Sequence, residues 1–238
     1  MSKIDLLIEE LNLKDHKLYK KIDIILDYLY DNFWFEGKEK DKSFYNYVKL
    51  EPNFILNHPK LDKIIEIASN NRKNDKEIMK QFFKREEDLE FDKLKEELIY
   101  CINNRENDKE ADMKLMLYFG NKTADYSGDD ILELGFMPQS CISFSLFAYE
   151  LMTKTGEEAK LIVMEADKFV HGILAYKDNL YNHWFKCDPK WQKHDKFTSK
   201  PKELIDKFIK DPYFYVNVKA ADKDGKCYEY EKVNIVRG

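Results

Sequence analysis

The stretch 141–154, CISFSLFAYELMTK, constrains this chain more than any other. Ile142, Phe144, Leu146, Phe147, Ala148, Leu151 and Met152 fall on nearly every side of a helix drawn through it. Such a helix has no face to offer water, so other elements must surround it. The pattern predicts a central, buried helix over 141–154 that stops before Gly156. Ahead of it, Pro138-Gln139-Ser140 reads as an extended turn that sets Cys141 at the helix start. Unpaired backbone N–H groups and the helix dipole favour an anion there, and the thiolate is the reactive form of cysteine. Taken alone, Cys141 is more simply read as a small buried residue, the common fate of a free cysteine.

The segments on either side differ in texture. Up to Gly120 the apolar residues recur at helical spacing: Ile4, Leu7, Ile8 and Leu11 over 4–13, then Leu18, Ile22, Ile25, Leu29 and Phe33 over 16–34. Pro59 suits a first helical position, followed by Leu61, Ile64, Ile65 and Ala68. One or two helices are expected over 75–103 and another over 108–119, ended by Gly120. Residues 121–140 read as a loop with a helical turn, DDILELG. After the buried helix come strand-like runs at 159–165, 169–176, 180–187, 213–220 and 226–236, with one further helix at 201–210. Helices, then a buried helix, then a mainly antiparallel sheet make an α+β chain. The boundary is drawn between a helical N-terminal region, 1–107, and a second domain, 108–238.

Bulk properties exclude several classes. Apolar residues make up 43% of the 238 and glycine and proline number only 8 and 6, which is the composition of a chain with a core rather than a disordered one. Acidic and basic residues are interspersed with a net charge of −5, so the basic footprint of a nucleic-acid binder is absent. No run approaches the roughly 20 apolar residues of a membrane span. The opening MSKIDLLIEELNLKD is broken by acids and does not read as a signal peptide. Cys101, Cys141, Cys187 and Cys227 are widely spaced, which disfavours a zinc ribbon or a disulfide framework. A cytoplasmic location and a usable thiol are the expectation, with no nucleic-acid or membrane partner.

A nucleophilic cysteine needs a base, and the base needs a group that orients it. Of five histidines, His171 lies inside an apolar strand, FVHGIL, directly before Gly172, and a glycine in a strand leaves room for close approach. A tight hairpin link at 177–180, with Lys177 opposite Leu180, places His171 opposite Lys186 and Asp188 one diagonal step away on the same face. Within that register His183 falls on the other face. Asp188 is then the natural orienting acid, although taken alone an Asp-Pro turn at a strand end explains it better.

The segment from Cys141 to Trp191 resembles the transglutaminase-like superfamily of papain-type cysteine enzymes. Cys141 opens a buried helix, Gly156-Glu157-Glu158-Ala159 follows it into a strand, His171 lies on the next strand, and Asp188-Pro189-Lys190-Trp191 closes the set. The resemblance covers about 110–195. It differs from the family pattern at Gln139, at Ile142 and at Gly172-Ile173. It implies a papain-like domain in which the catalytic helix packs on an antiparallel sheet, and a Cys141–His171–Asp188 triad that acts on amide bonds of a protein or peptide through a thioester. Hydrolysis by a peptidase or amidase is the first expectation. Protein cross-linking by a transglutaminase and an inactive interaction module of the same fold are the alternatives. The Gln139 amide is a candidate oxyanion donor, and Trp184 and Trp191 are candidate walls of a substrate cleft, with core packing the simpler role for both. No cofactor is expected. The acidic loop with Asp125, Asp129 and Asp130 lacks the ligand spacing of a calcium loop, so no metal is expected either.

Overall fold

The computed structural model describes residues 1–34, 41–74, 91–119, 126–166, 169–180, 182–190, 219–221, 227–229 and 232–238. The chain forms two compact units that interleave along the sequence. The first takes in Met1–Asn32, Ser127–Glu133 and Cys141–Gly238, and the second Phe33–Tyr126 and Leu134–Ser140. The sequence reading drew one boundary between 107 and 108. The difference arises because the amphipathic helices of the first 32 residues find their apolar partner in the 141–154 helix, far along the chain.

In the first unit, helix α1 (Lys3–Glu10) begins at a capping box, in which the Ser2 hydroxyl accepts from the Asp5 N–H and the Asp5 carboxylate accepts from the Ser2 N–H. A turn of 3-10 helix at Leu13–Asp15 leads to α2 (Leu18–Phe33). The central element is α9 (Cys141–Lys154). Phe144, Leu146, Phe147, Leu151 and Met152 on it are essentially inaccessible to solvent, each stabilising the fold by about 1.5–3 kcal/mol of transfer free energy. Gly156 stops the helix at a φ of +86°, and the Glu157 N–H reaches back to the Met152 carbonyl at 3.0 Å, closing the left-handed cap that glycine permits. Lys21 from α2, itself buried, adds a bond to the Thr155 carbonyl at 3.2 Å and an ion pair with Glu157.

Beneath α9 lies an antiparallel sheet of order β3-β2-β1-β6, formed by β1 (Ala159–Ala166), β2 (Phe169–Asp178), β3 (His183–Cys187) and β6 (Lys232–Arg237). The short strands β4 (Lys219–Ala221) and β5 (Cys227–Glu229) pair with each other instead. Helices on an antiparallel sheet make this unit α+β. The strand expected over 180–187 is shorter, the run expected as one strand over 226–236 holds both β5 and β6 in different sheets, and the helix expected over 201–210 lies outside the described residues.

The β2–β3 connection differs from the tight link expected at 177–180. Asp178 pairs with His183, so the link between the two strands is longer than the two residues expected. Asp178 explains the longer loop, because its carboxylate accepts the Leu180 N–H at 2.8 Å and the Tyr19 hydroxyl at 2.5 Å, holding the chain open. Asn182 takes the left-handed conformation that asparagine tolerates. The register is shifted by four residues from the expected one. An even shift leaves each side chain on its face, so His171 and Asp188 still share one.

The second unit is helical, with α3 (Phe44–Leu50), α4 (Pro52–Leu56), α5 (Leu61–Asn74), α6 (Phe91–Asn104), α7 (Lys109–Phe119) and the end of α8 (Gly128–Leu134). Pro52, not Pro59, occupies a first helical position; α5 starts at Leu61, two residues past Pro59, where the His58 ring accepts the Lys60 N–H. Phe136 packs edge-on against Tyr47 and His58, and the His58 Nε2 donates to the Leu134 carbonyl at 3.1 Å.

Helix α9 and strand β2 approach most closely at Gly172. A Cβ there would come within 2.7 Å of the Ile142 Cα, a backbone atom with nowhere to go. Gly172→Ala is therefore expected to lower stability by about 1–3 kcal/mol, measured by urea denaturation against the unaltered protein.

Candidate active site

The two elements that meet at Gly172 carry the sulfur and the imidazole. Cys141 is the first residue of α9, half-buried, with its sulfur at the N-terminal end of the helix. The Gly172 N–H donates to the Cys141 Sγ at 3.4 Å, and the Val170 carbonyl lies 3.8 Å from it, placed to accept from the thiol. His171, between these two residues, is buried and bonds the sulfur directly. Its Nε2 is 2.5 Å from the Asp188 Oδ2, which leaves Nδ1 to face Cys141. Asp188 follows the last residue of β3, and its other oxygen accepts the Lys190 N–H at 3.3 Å, fixing the Asp-Pro turn. The three residues expected to form a triad are thus brought together within one unit in the order sulfur, imidazole, carboxylate.

Electrostatics couple them. Burial works against the charged form of His171, but the bonds to Asp188 and Cys141 and the negative charges of both outweigh it and raise its pKa to about 10. Burial likewise opposes the Cys141 thiolate. The His171 bond and charge, the Gly172 N–H and Lys190 together overcome that and hold the thiol below its ordinary range. Both shifts favour the thiolate–imidazolium form of the pair. The other two cysteines with described side chains are the reverse. Burial pushes Cys187 well above the usual thiol value, and burial followed by the Glu97 charge pushes Cys101 up to about 12.

Gln139 lies in the second unit, is 3% exposed, and accepts the Tyr126 hydroxyl at 2.8 Å, so its side-chain oxygen is tied into the core. Trp184 lies in β3 opposite Lys177, and its side chain and all of Trp191 are outside the described residues. In the acidic loop, Asp129 accepts the Ile4 N–H at 2.7 Å and Asp130 accepts the Ser127 N–H at 2.8 Å, so both serve as caps. Among the described residues no group of three or more His, Cys, Asp or Glu side chains is arranged to hold a metal, and no helix is long and apolar enough to cross a membrane.

The sequence reading missed Ser145 and the backbone of Gly172. Ser145 is fully buried and donates to the Gly172 carbonyl at 2.9 Å. A serine four residues after the cysteine, on the same face of a largely apolar helix, is the available signal. Compared with family models, with curated proteins and with solved structures, the chain gives no match in any of the three.

Two outcomes follow for the thiols and the ion pair. Iodoacetamide near neutral pH should modify Cys141 at least about tenfold faster than Cys101 or Cys187, read by peptide mass mapping of the native protein; equal rates would remove the activated thiol. Asp188→Asn should cost about 2 kcal/mol at neutral pH, the contribution of a hydrogen bond to a charged group. His171 has a raised folded pKa, so its contribution is complete below the ordinary histidine value and is lost as the pH rises through about 10. The Asp188→Asn penalty, measured by urea denaturation, should shrink over that rise.

Proposed function

We propose that this chain is a cysteine-dependent acyl-transfer enzyme that cleaves amide bonds, with the first unit a transglutaminase-like domain. The observation that carries the reading is the Cys141–His171–Asp188 line, with the sulfur at a helix N-terminus and the histidine held by a carboxylate on its far side. The order of elements supports it too: a buried helix opened by the cysteine, a strand, a second strand with the histidine, and the aspartate just after a third.

In this reading the Cys141 thiolate attacks the amide carbon. A sulfur lone pair forms the S–C bond while the carbonyl π pair moves to oxygen, where the Cys141 N–H at the first turn of α9 is an available donor. The intermediate collapses by breaking the C–N bond, and the leaving nitrogen takes the proton from His171 Nδ1. Water then attacks the thioester as His171 accepts its proton, and the C–S bond breaks to restore the thiolate. Asp188 keeps the ring in the required tautomer and stabilises its cation. A protein or peptide is the substrate class, and a reducing compartment such as the cytoplasm suits the unpaired thiols.

An activated ester tests the chemistry without a known substrate. p-Nitrophenyl acetate should release a burst of nitrophenolate and leave an acetyl group on Cys141, found by mass spectrometry. His171→Ala should slow acylation by about 100-fold or more, and Cys141→Ala should abolish it. Acylation that is as fast in His171→Ala as in the unaltered chain would defeat the reading. Adding a primary amine to the acyl-enzyme separates hydrolysis from transfer, since an amide product marks a transferase.

A further inference from the structure

Gly172 is tied to α9 at both of its polar groups. Its N–H donates to the Cys141 sulfur at 3.4 Å, and its carbonyl accepts from the Ser145 hydroxyl at 2.9 Å. In an antiparallel strand a residue directs its N–H and C=O toward the same neighbour. The β2–β3 ladder starts only at Leu174 opposite Cys187, so at Gly172 the neighbour on that side is the helix. Cys141 and Ser145, one helical turn apart on one face, take the place of a missing rung of the sheet. The absence of a Cβ at Gly172 permits it, since Ile142 lies where that atom would stand.

From this geometry we propose that Ser145 is a positioning residue for the proposed thiol chemistry: by gripping the Gly172 carbonyl it holds the adjacent His171 in register with the Cys141 sulfur. The inference rests on the functional reading above. Ser145 acts through the backbone of the residue next to the base. A backbone grip suits the task, because His171 and Gly172 are joined by one peptide plane, and sliding that plane along the helix carries the ring away from the sulfur. Among the described residues, the charged groups that act on Cys141 are His171 on β2 and Lys190 beyond β3, with Asp188 behind the ring. The Ser145 hydroxyl is bonded to the Gly172 carbonyl, and a change at Ser145 reaches the thiol through that strand.

The test compares the full-length chain with Ser145→Ala and Ser145→Thr. The readouts are the pH profile of Cys141 alkylation by iodoacetamide and acetyl transfer from p-nitrophenyl acetate. Protection of Cys187 from alkylation reports that the fold persists. In Ser145→Ala, alkylation and acylation of Cys141 near neutral pH should fall about tenfold, with the alkylation profile moved toward that of an ordinary thiol. Ser145→Thr, which keeps the hydroxyl, should stay within about threefold of the unaltered chain. A folded Ser145→Ala protein with the unaltered pH profile overturns the proposal and leaves the acyl-transfer reading standing. An ordinary thiol profile in the unaltered chain overturns both. Should Ser145→Ala expose Cys187, Ser145→Cys is read in its place; its weaker donor should give an intermediate profile, and an unaltered one again overturns the proposal.

Discussion

The rest of the first unit depends on backbone contact between α9 and β2 at Gly172. The helix is apolar on nearly every side and has to be enclosed, and the sheet encloses it from below. At most crossings two side chains would hold such elements apart. Here one partner has no side chain, so the helix N-terminus comes down onto the strand. The sulfur meets the Gly172 N–H, the Ser145 hydroxyl meets the Gly172 carbonyl, and the His171 ring is delivered to the sulfur. At its far end the helix is fixed by the Gly156 cap and by Lys21. Both ends are held, so the cysteine keeps its place.

Burial by itself would leave Cys141 and His171 neutral. Desolvation penalises each charged form, and Cys187, buried and next to the Asp188 charge, shows the outcome for a thiol without such help. What reverses the balance is mutual. The imidazolium favours the thiolate, the thiolate favours the imidazolium, and Asp188 tips the pair by binding the ring on its far side. The Gly172 N–H and Lys190 add to the same sign. The charge separation is a property of the cluster.

Much of this was legible in the sequence for local reasons. The nearly all-round apolar pattern of 141–154 marks a central helix, Gly156 marks its end, and the apolar run at 169–176 marks a strand. The face shared by His171 and Asp188 was readable although the register was not. A tight link at 177–180 misjudged the turn, because Asp178 engages Leu180 and, across a long stretch of chain, Tyr19. The displacement is four residues, an even number, and the pleat of a strand returns to the same face every two. The division at 107/108 followed composition, whereas the compact units follow apolar contact, and residues 1–32 join a partner that composition cannot reveal.

The sequence by itself determined which elements form and which chemical groups they carry: a cysteine opening a buried helix, a histidine beside a glycine in a strand, and an aspartate at a strand end. Those are consequences of local periodicity and of turn and cap chemistry. Only the tertiary structure decided that the groups meet. Whether Gly172 lies under Ile142, whether Ser145 reaches a carbonyl 27 residues onward, and whether His171 turns one nitrogen to Asp188 and the other to Cys141 all depend on how far two backbones can approach. That distance is set by packing among residues remote in sequence, and a change in thiol ionisation follows from it because electrostatic coupling falls off over a few ångströms.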